Sequence, residues 1–335
     1  MANSRRAFLK SAAATTAATV AAVPTLADSP LSCSPEDIVD LFTNLPGDKA
    51  MKIFVPRQEG GQEFTAELNS NRMLFVASVI KTFVLCEALK QVDSPEVVHK
   101  LESKSLALNS TVWSFGSPVF NPPDLQGLVS ERVTLEAMIM NSDNTATDMT
   151  LALAGAENVR KFIASAQLTQ TRIPDSTRAA VAYVFGAPNY LTITWDELLE
   201  IVKHPVHPFL NNVETFASSA DDLVSYYSRA LRGEFFTHQE TLNEFRRILT
   251  LCDFIYLVPL PLGVSAYAKS GNADFPGFHV RSIAGGLFVA KRWIFFAFTL
   301  NWFAESDEDP ETVEQFFSAI HRALTLVKES LVSTR

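Results

Sequence analysis

The chain has 335 residues, 47% hydrophobic and 19% charged, with a formal net charge of -9. That is enough apolar content for one large domain or two interlocked ones. The acidic balance and the lack of any basic stripe argue against a nucleic-acid surface, which needs clustered Lys and Arg to meet phosphates.

The first segment reads as an address. Arg5-Arg6-Ala7-Phe8-Leu9-Lys10 resembles a bacterial twin-arginine export signal, and Ala12 to Val23 is a mild apolar stretch too short to span a bilayer. Thr25-Leu26-Ala27 offers small residues at a cleavage site, so residues 1–27 are expected to be removed. Removal leaves a more acidic mature chain with no spanning segment and no stable membrane anchor, periplasmic or secreted, engaged as a precursor by the twin-arginine machinery. Cys33, Cys86 and Cys252 are too few and scattered for a disulfide framework; one pair at most can form.

Two strands are predicted next, Ala50 to Pro56 and Glu63 to Leu68, joined by a turn at Glu59-Gly60-Gly61. From Ser78 to Val92 the apolar residues recur at helical spacing without Gly or Pro, which predicts a helix buried on most sides. Helical patterns dominate residues 94–251. Val133 to Met140 and Thr145 to Ala154 read as two helices broken by a polar corner, and Ser219 to Leu231 as a third with a cap at Ser219 and a stop at Gly233. Residues 173–217 are rich in Pro and aromatics and poorly periodic, and read as a long functional loop. Alternation then marks three strands, Ser265 to Ser270, Val280 to Ala290 and Trp293 to Asn301, and Asp309-Pro310 opens a last helix. Strands at both ends of the chain imply one sheet assembled from the two termini.

The chemistry rests on three short motifs. Ser78-Val79-Ile80-Lys81 puts a hydroxyl at a helix N-terminus and an amine one turn later on the same face, within reach of it. Alone this means little, since a chain of this size holds roughly one Ser-x-x-Lys by chance. Ser142-Asp143-Asn144 follows in the interhelical corner and Lys269-Ser270-Gly271 at the end of a strand, and these three in this order are the signature of penicillin-recognising serine enzymes. The whole run from Val133 to Asp148 resembles the corresponding class A β-lactamase segment, and the first spacing, Ser78 to Ser142, is close to theirs; the second, Ser142 to Lys269, is longer.

The resemblance implies a fold class of α/β (α+β), with an antiparallel five-stranded sheet flanked by helices (residues 28–93 and 252–335) and an all-helical subdomain (94–251). It implies Ser78 as nucleophile and Lys81 as its base, with Ser142 relaying a proton to the leaving nitrogen and Lys269 supplying positive charge. Backbone N–H groups of Ser78 and Asn272 would hold the oxyanion. Ser270 and Arg281 are candidates for a substrate carboxylate, Asn144 for an amide of the acyl side chain, and Gly271 completes the strand motif. No cofactor or metal is expected, and the partner is a small acyl donor met by a monomer.

One part of the family pattern is missing. Class A enzymes clear the acyl-enzyme with a Glu-x-x-Leu-Asn loop motif, and none occurs here. Glu197, in Trp195-Asp196-Glu197-Leu198, is the nearest candidate, although the spacing of its neighbours also suits a solvated helix residue; Glu200 and Asp175 are other carboxylates. His204 and His207 are separated by prolines that prevent a helix from presenting both rings to one metal. Three functions follow as expectations: a β-lactam hydrolase, a D-Ala-D-Ala peptidase or small ester or amide hydrolase of the same fold, and a sensor acylated once without turnover.

Overall fold

The computed structural model describes residues 33–57, 62–252, 260–275, 277–306 and 309–333, so the expected signal segment 1–27 and its cleavage site lie outside the described residues. Five strands form one antiparallel sheet: β1 (Asp48–Val55), β2 (Phe64–Leu68), β7 (Ser265–Phe275), β8 (Phe278–Val289) and β9 (Arg292–Trp302), in the order β2-β1-β9-β8-β7. The two ends of the chain meet where β1 pairs with β9, Asp48 opposite Asn301 through Phe54 opposite Phe295. Strand β7 runs five residues beyond the expected Ser270, because its ladder with β8 continues to Phe275 opposite Phe278.

The sheet is buried on both faces, and β9 shows how. Phe296, Phe298 and Leu300 point one way, into a core shared with Ile38 and Phe42 of α1 (Pro35–Thr43) and with Phe316, Ile320, Leu324 and Val327 of α11 (Pro310–Ser333). Phe295 and Ala297 point the other way, into the larger core. Helix α1 was not foreseen, though Ser34 caps it by accepting from the Asp37 N–H and Pro35 opens its first turn.

The larger core surrounds α2 (Lys81–Gln91), in which Lys81 through Cys86, Ala88 and Leu89 are all buried. Around it stand α4 (Glu131–Met140), α5 (Asn144–Ala154), α6 (Ala156–Ser165), α9 (Ala220–Ala230) and α10 (Gln239–Thr250), which contribute Met138, Ala146, Val159, Tyr226 and Phe245. The stretch 94–251 also holds α3 (Val97–Ser103) and a short ladder of β4 (Ser105–Leu108) with β5 (Gly127–Ser130), so it is not purely helical as expected. The segment 173–217, expected as a loop, contains α7 (Thr177–Val184) and α8 (Trp195–Ile201), and β6 (Ala217–Ser218) at its end pairs with β3 (Leu74–Phe75). Cys33, Cys86 and Cys252 are free and buried. Among the described residues no helix is long and apolar enough to cross a membrane.

Candidate active site

Ser78 lies in a 3-10 turn, Ala77–Ile80, that leads from β3 into α2. The segment before it is clamped. Asn301 of β9 accepts from the Phe75 N–H at 3.1 Å and donates to the Phe75 carbonyl at 2.9 Å, and the Val76 N–H donates to the Phe216 carbonyl at 2.8 Å. Ala77 is thereby held at φ +47°, a left-handed conformation that costs a non-glycine residue roughly 1 to 2 kcal/mol. Strand β7 passes directly beside this turn: a Cβ on Gly271 would stand 2.4 Å from the Val76 carbonyl oxygen and 2.7 Å from the Ser78 nitrogen. Only a residue without a side chain lets β7 approach the serine this closely. Gly271→Ala is expected to push strand and turn apart, costing about 1 to 3 kcal/mol of stability and about a hundredfold in kcat/KM, measurable by thermal unfolding and acylation kinetics.

Lys81 follows one turn later and is fully buried in α2. Its Nζ donates to the Ser142 carbonyl, to Ser142 Oγ at 3.2 Å and to Asn144 Oδ1 at 2.7 Å. An ammonium has three N–H bonds, and all three are used at this corner. The contact expected between the amine and Ser78 Oγ is not among its hydrogen bonds, which all go to Ser142 and Asn144. The corner itself is stiff. Ser142 has φ +57°, and Asp143 accepts from the Ala146 N–H at 2.8 Å as the cap of α5. Its second oxygen accepts from the Val119 and Phe120 N–H groups, both at 2.9 Å. Asn144 Nδ2 donates to the Phe115 carbonyl at 2.6 Å. Burial, with Lys269 second, holds the Lys81 amine well below its ordinary lysine value, against the opposing pull of Asp143 and Asp148.

Lys269, Ser270 and Asn272 stand in sequence on β7. Lys269 is buried with Nζ donating to the Ser270 carbonyl at 2.9 Å, and Ser270 Oγ lies 3.8 Å from Cys252 Sγ. Ser78, Asn144 and Asn272 line one cavity of about 360 Å³; Lys81, Ser142, Lys269 and Ser270 are not among its lining residues.

These elements and their order agree with one sequence family, the β-lactamase enzyme family, which matches residues 35–324. The chain belongs to that family. Solved structures superimpose on it. TLA-3 extended-spectrum β-lactamase gives a TM-score of 0.67 at 15% identity, covering 89% of this chain and 98% of that one. PBP-A gives 0.65 at 17%, covering 90% and 98%. A class A β-lactamase from Bacteroides cellulosilyticus DSM 14838 gives 0.66 at 17%, covering 90% and 99%. At such identities the likeness establishes the fold. No curated protein matches the sequence.

Three features of this β-lactamase-family chain depart from the residues expected. Glu197 is the first correction. Its carboxylate closes a capping box at the start of α8, accepting from the Thr194 N–H at 2.8 Å and Thr194 Oγ1 at 2.9 Å, and it is exposed and absent from the cavity wall. Those bonds hold it below the usual carboxylate range, as befits a cap. Thr194-x-x-Glu197 is itself a capping-box pattern, and that was the readable signal.

Arg281 is the second. It faces Asn272 across the β7–β8 ladder, but its guanidinium grips Asp274 with two bonds of 2.9 Å and lies over the Trp302 ring. The protein's own carboxylate occupies the fork assigned to a substrate carboxylate. Asp274 also contacts His279 Nδ1 at 2.9 Å.

The third is what the 173–217 segment brings instead. Asp148 of α5 accepts from the Thr177 N–H at 2.6 Å, Thr177 Oγ1 at 2.7 Å and the Arg178 N–H at 3.1 Å, which fastens α7 against the site and turns Thr177 into the cavity. Burial pushes Asp148 up to about 6. Glu214 is the other find: buried, on the cavity wall, accepting from the Asp175 N–H at 2.9 Å and raised to about 7, chiefly by burial. Nothing local in the sequence marks Glu214, because it reaches the site from the far end of the long segment. His207 stacks on Tyr183 at 4.6 Å, and His204 is exposed.

Proposed function

We propose that the chain is a β-lactamase-like serine hydrolase that forms an acyl-enzyme on Ser78, with a β-lactam amide as the reference donor. The observation that carries this is the packing of Gly271 against the Ser78 nitrogen, next to a buried lysine of depressed basicity. Lys81 acts as the neutral amine: it gives up one of its three contacts at the Ser142 corner and turns its lone pair to Ser78, taking the proton while Oγ attacks the carbonyl carbon. The N–H groups of Ser78 and Asn272 receive the oxyanion. Ser142 relays the proton from Lys81 to the departing nitrogen beside the charge of Lys269, and the C–N bond breaks. Asn144 keeps the Lys81 amine in place.

Water must then attack the ester, and we assign its base to Glu214, the cavity-wall carboxylate that is not paired to Arg281. A carboxyl titrating near 7 is matched to this task at neutral pH. Glu214→Gln is expected to lower kcat about a hundredfold and to leave the acyl adduct standing in intact-mass spectra. Turnover should fall as pH drops through about 7, where Glu214 gains its proton. Stability moves the other way. Between the unfolded value of 4.5 and the folded value of about 7 the folded state binds more protons, so Tm rises as pH is lowered across that window, and Glu214→Gln flattens the rise. An adduct that persists equally in the wild type marks the sensor reading, and D-alanine release without β-lactam turnover marks the peptidase.

We further propose that residues 1–27 direct twin-arginine export and are removed, so that a monomeric enzyme works in the periplasm or outside the cell. The sheet portions, 28–93 and 252–335, then act as the frame for β7, and 94–251 as the body that carries the Ser142 corner.

A further inference from the structure

Of the residues that line the cavity, only Ser78, Asn144, Asn272 and Glu214 enter the bond-making set out above, and most of the rest are apolar. One side is α7, which turns Thr177, Ala180, Val181 and Val184 into it, spaced as a single helical face. Another part of the lining is aromatic. Phe209 stacks on Phe275 with centroids 4.8 Å apart and meets Phe75 edge-on at 5.6 Å, and all three line the cavity. Charge on this wall is limited to Glu214 and Asp274; no Lys or Arg is among the described lining residues, and the nearby Arg281 is spent on Asp274. A donor carboxylate entering here would meet no free guanidinium or ammonium and, at Glu214, a carboxyl of like charge when ionised, whereas a hydrocarbon would leave water for aromatic and aliphatic surface.

We propose that this cavity takes uncharged acyl donors with a medium-length apolar acyl group, lipophilic esters or lactones, in preference to donors bearing a carboxylate. The assignment rests on acylation of Ser78 as set out above. Ser78 Oγ bonds to the ester carbonyl carbon, the C–O bond to the alcohol breaks, and the alkoxide leaves with the proton first taken from Ser78. Water then cleaves the acyl-enzyme to the free acid and restores the serine.

The test is kcat/KM of the full chain on p-nitrophenyl acetate, butyrate and hexanoate and on mono-p-nitrophenyl adipate, with Ser78→Ala subtracted and benzylpenicillin followed by intact mass. Burying a methylene is worth about fourfold and hexanoate carries four more than acetate, so a gain of about 250-fold is expected with all four buried and at least about thirtyfold with two to three buried. The adipate, equal in length but ending in a carboxylate, is expected to fall at least about tenfold below hexanoate. Val181→Asp should collapse the hexanoate-to-acetate ratio towards one. A flat ester series, or adipate equal to hexanoate, together with a penicillin adduct on Ser78, overturns the apolar-donor assignment and leaves the acyl-enzyme reading standing. No Ser78-dependent ester release and no penicillin adduct overturn both.

Discussion

Ser78→Ala is expected to reduce turnover of a chromogenic cephalosporin by at least about ten-thousand-fold and to abolish any covalent adduct. The loss is chemical, not structural. The Ser78 side chain is only partly buried and contributes no hydrogen bond that holds the turn, which is fixed instead by the Asn301 clamp on Phe75 and by the β7 backbone. Removing one oxygen there should change stability by less than about 1 kcal/mol, so thermal unfolding of the variant must overlay that of the wild type. A variant that keeps a tenth of the activity would place the nucleophile elsewhere.

Lys81→Met is the second large effect, an acylation rate lower by about a thousandfold, read as the single-turnover rate of adduct formation. Methionine fills much of the buried volume but gives no donors, so the Ser142 carbonyl and Asn144 Oδ1 lose their partner at this corner. That costs about 1 to 3 kcal/mol for unsatisfied acceptors. The opposing gain is relief of a buried amine. Because the folded Lys81 binds its proton less tightly than the unfolded one, the unfolded chain carries more protons over the range below 10.5. The wild type is therefore destabilised as pH falls from 10.5 through that range, and Lys81→Met is not. Differential stability against pH separates this from simple loss of packing. Wild-type acylation should rise with pH along a limb that sits below the ordinary lysine range.

Much of the frame was readable because its signals are local. The alternation of β8 and β9, the unbroken apolar pattern of α2 and the Asp309-Pro310 start of α11 are period and cap signals, and the elements appear within a few residues of where they were expected. The three motifs were readable for the same reason, and the structure brings Gly271 against the Ser78 turn and Lys81 against Ser142 and Asn144. What was not readable depends on side-chain contacts that no local period or cap marks. The bidentate grip of Arg281 on Asp274 crosses a turn and removes a cation that the strand pattern seemed to offer. Glu214 reaches the cavity wall from the far end of a segment that Asp148 holds at Thr177 and that the Asp175 N–H ties to the Glu214 carboxylate. Helix α7 carries a weak local signal because its cavity face is short, with Ala180 and Val181 between a single proline, Pro174, before it and the aromatic Phe185 after it. Its apolar spacing serves the cavity as well as the core, so the usual periodic stripe is short.

The central claim is that Ser78 is the acylated atom's owner. The most direct measurement is peptide mapping by mass spectrometry after the full chain is quenched with benzylpenicillin bound, in the Glu214→Gln background that slows release. One penicilloyl group is expected on the peptide that contains Ser78 and none after Ser78→Ala. A penicilloyl group on any other residue, or persistence of the adduct in Ser78→Ala, would contradict it.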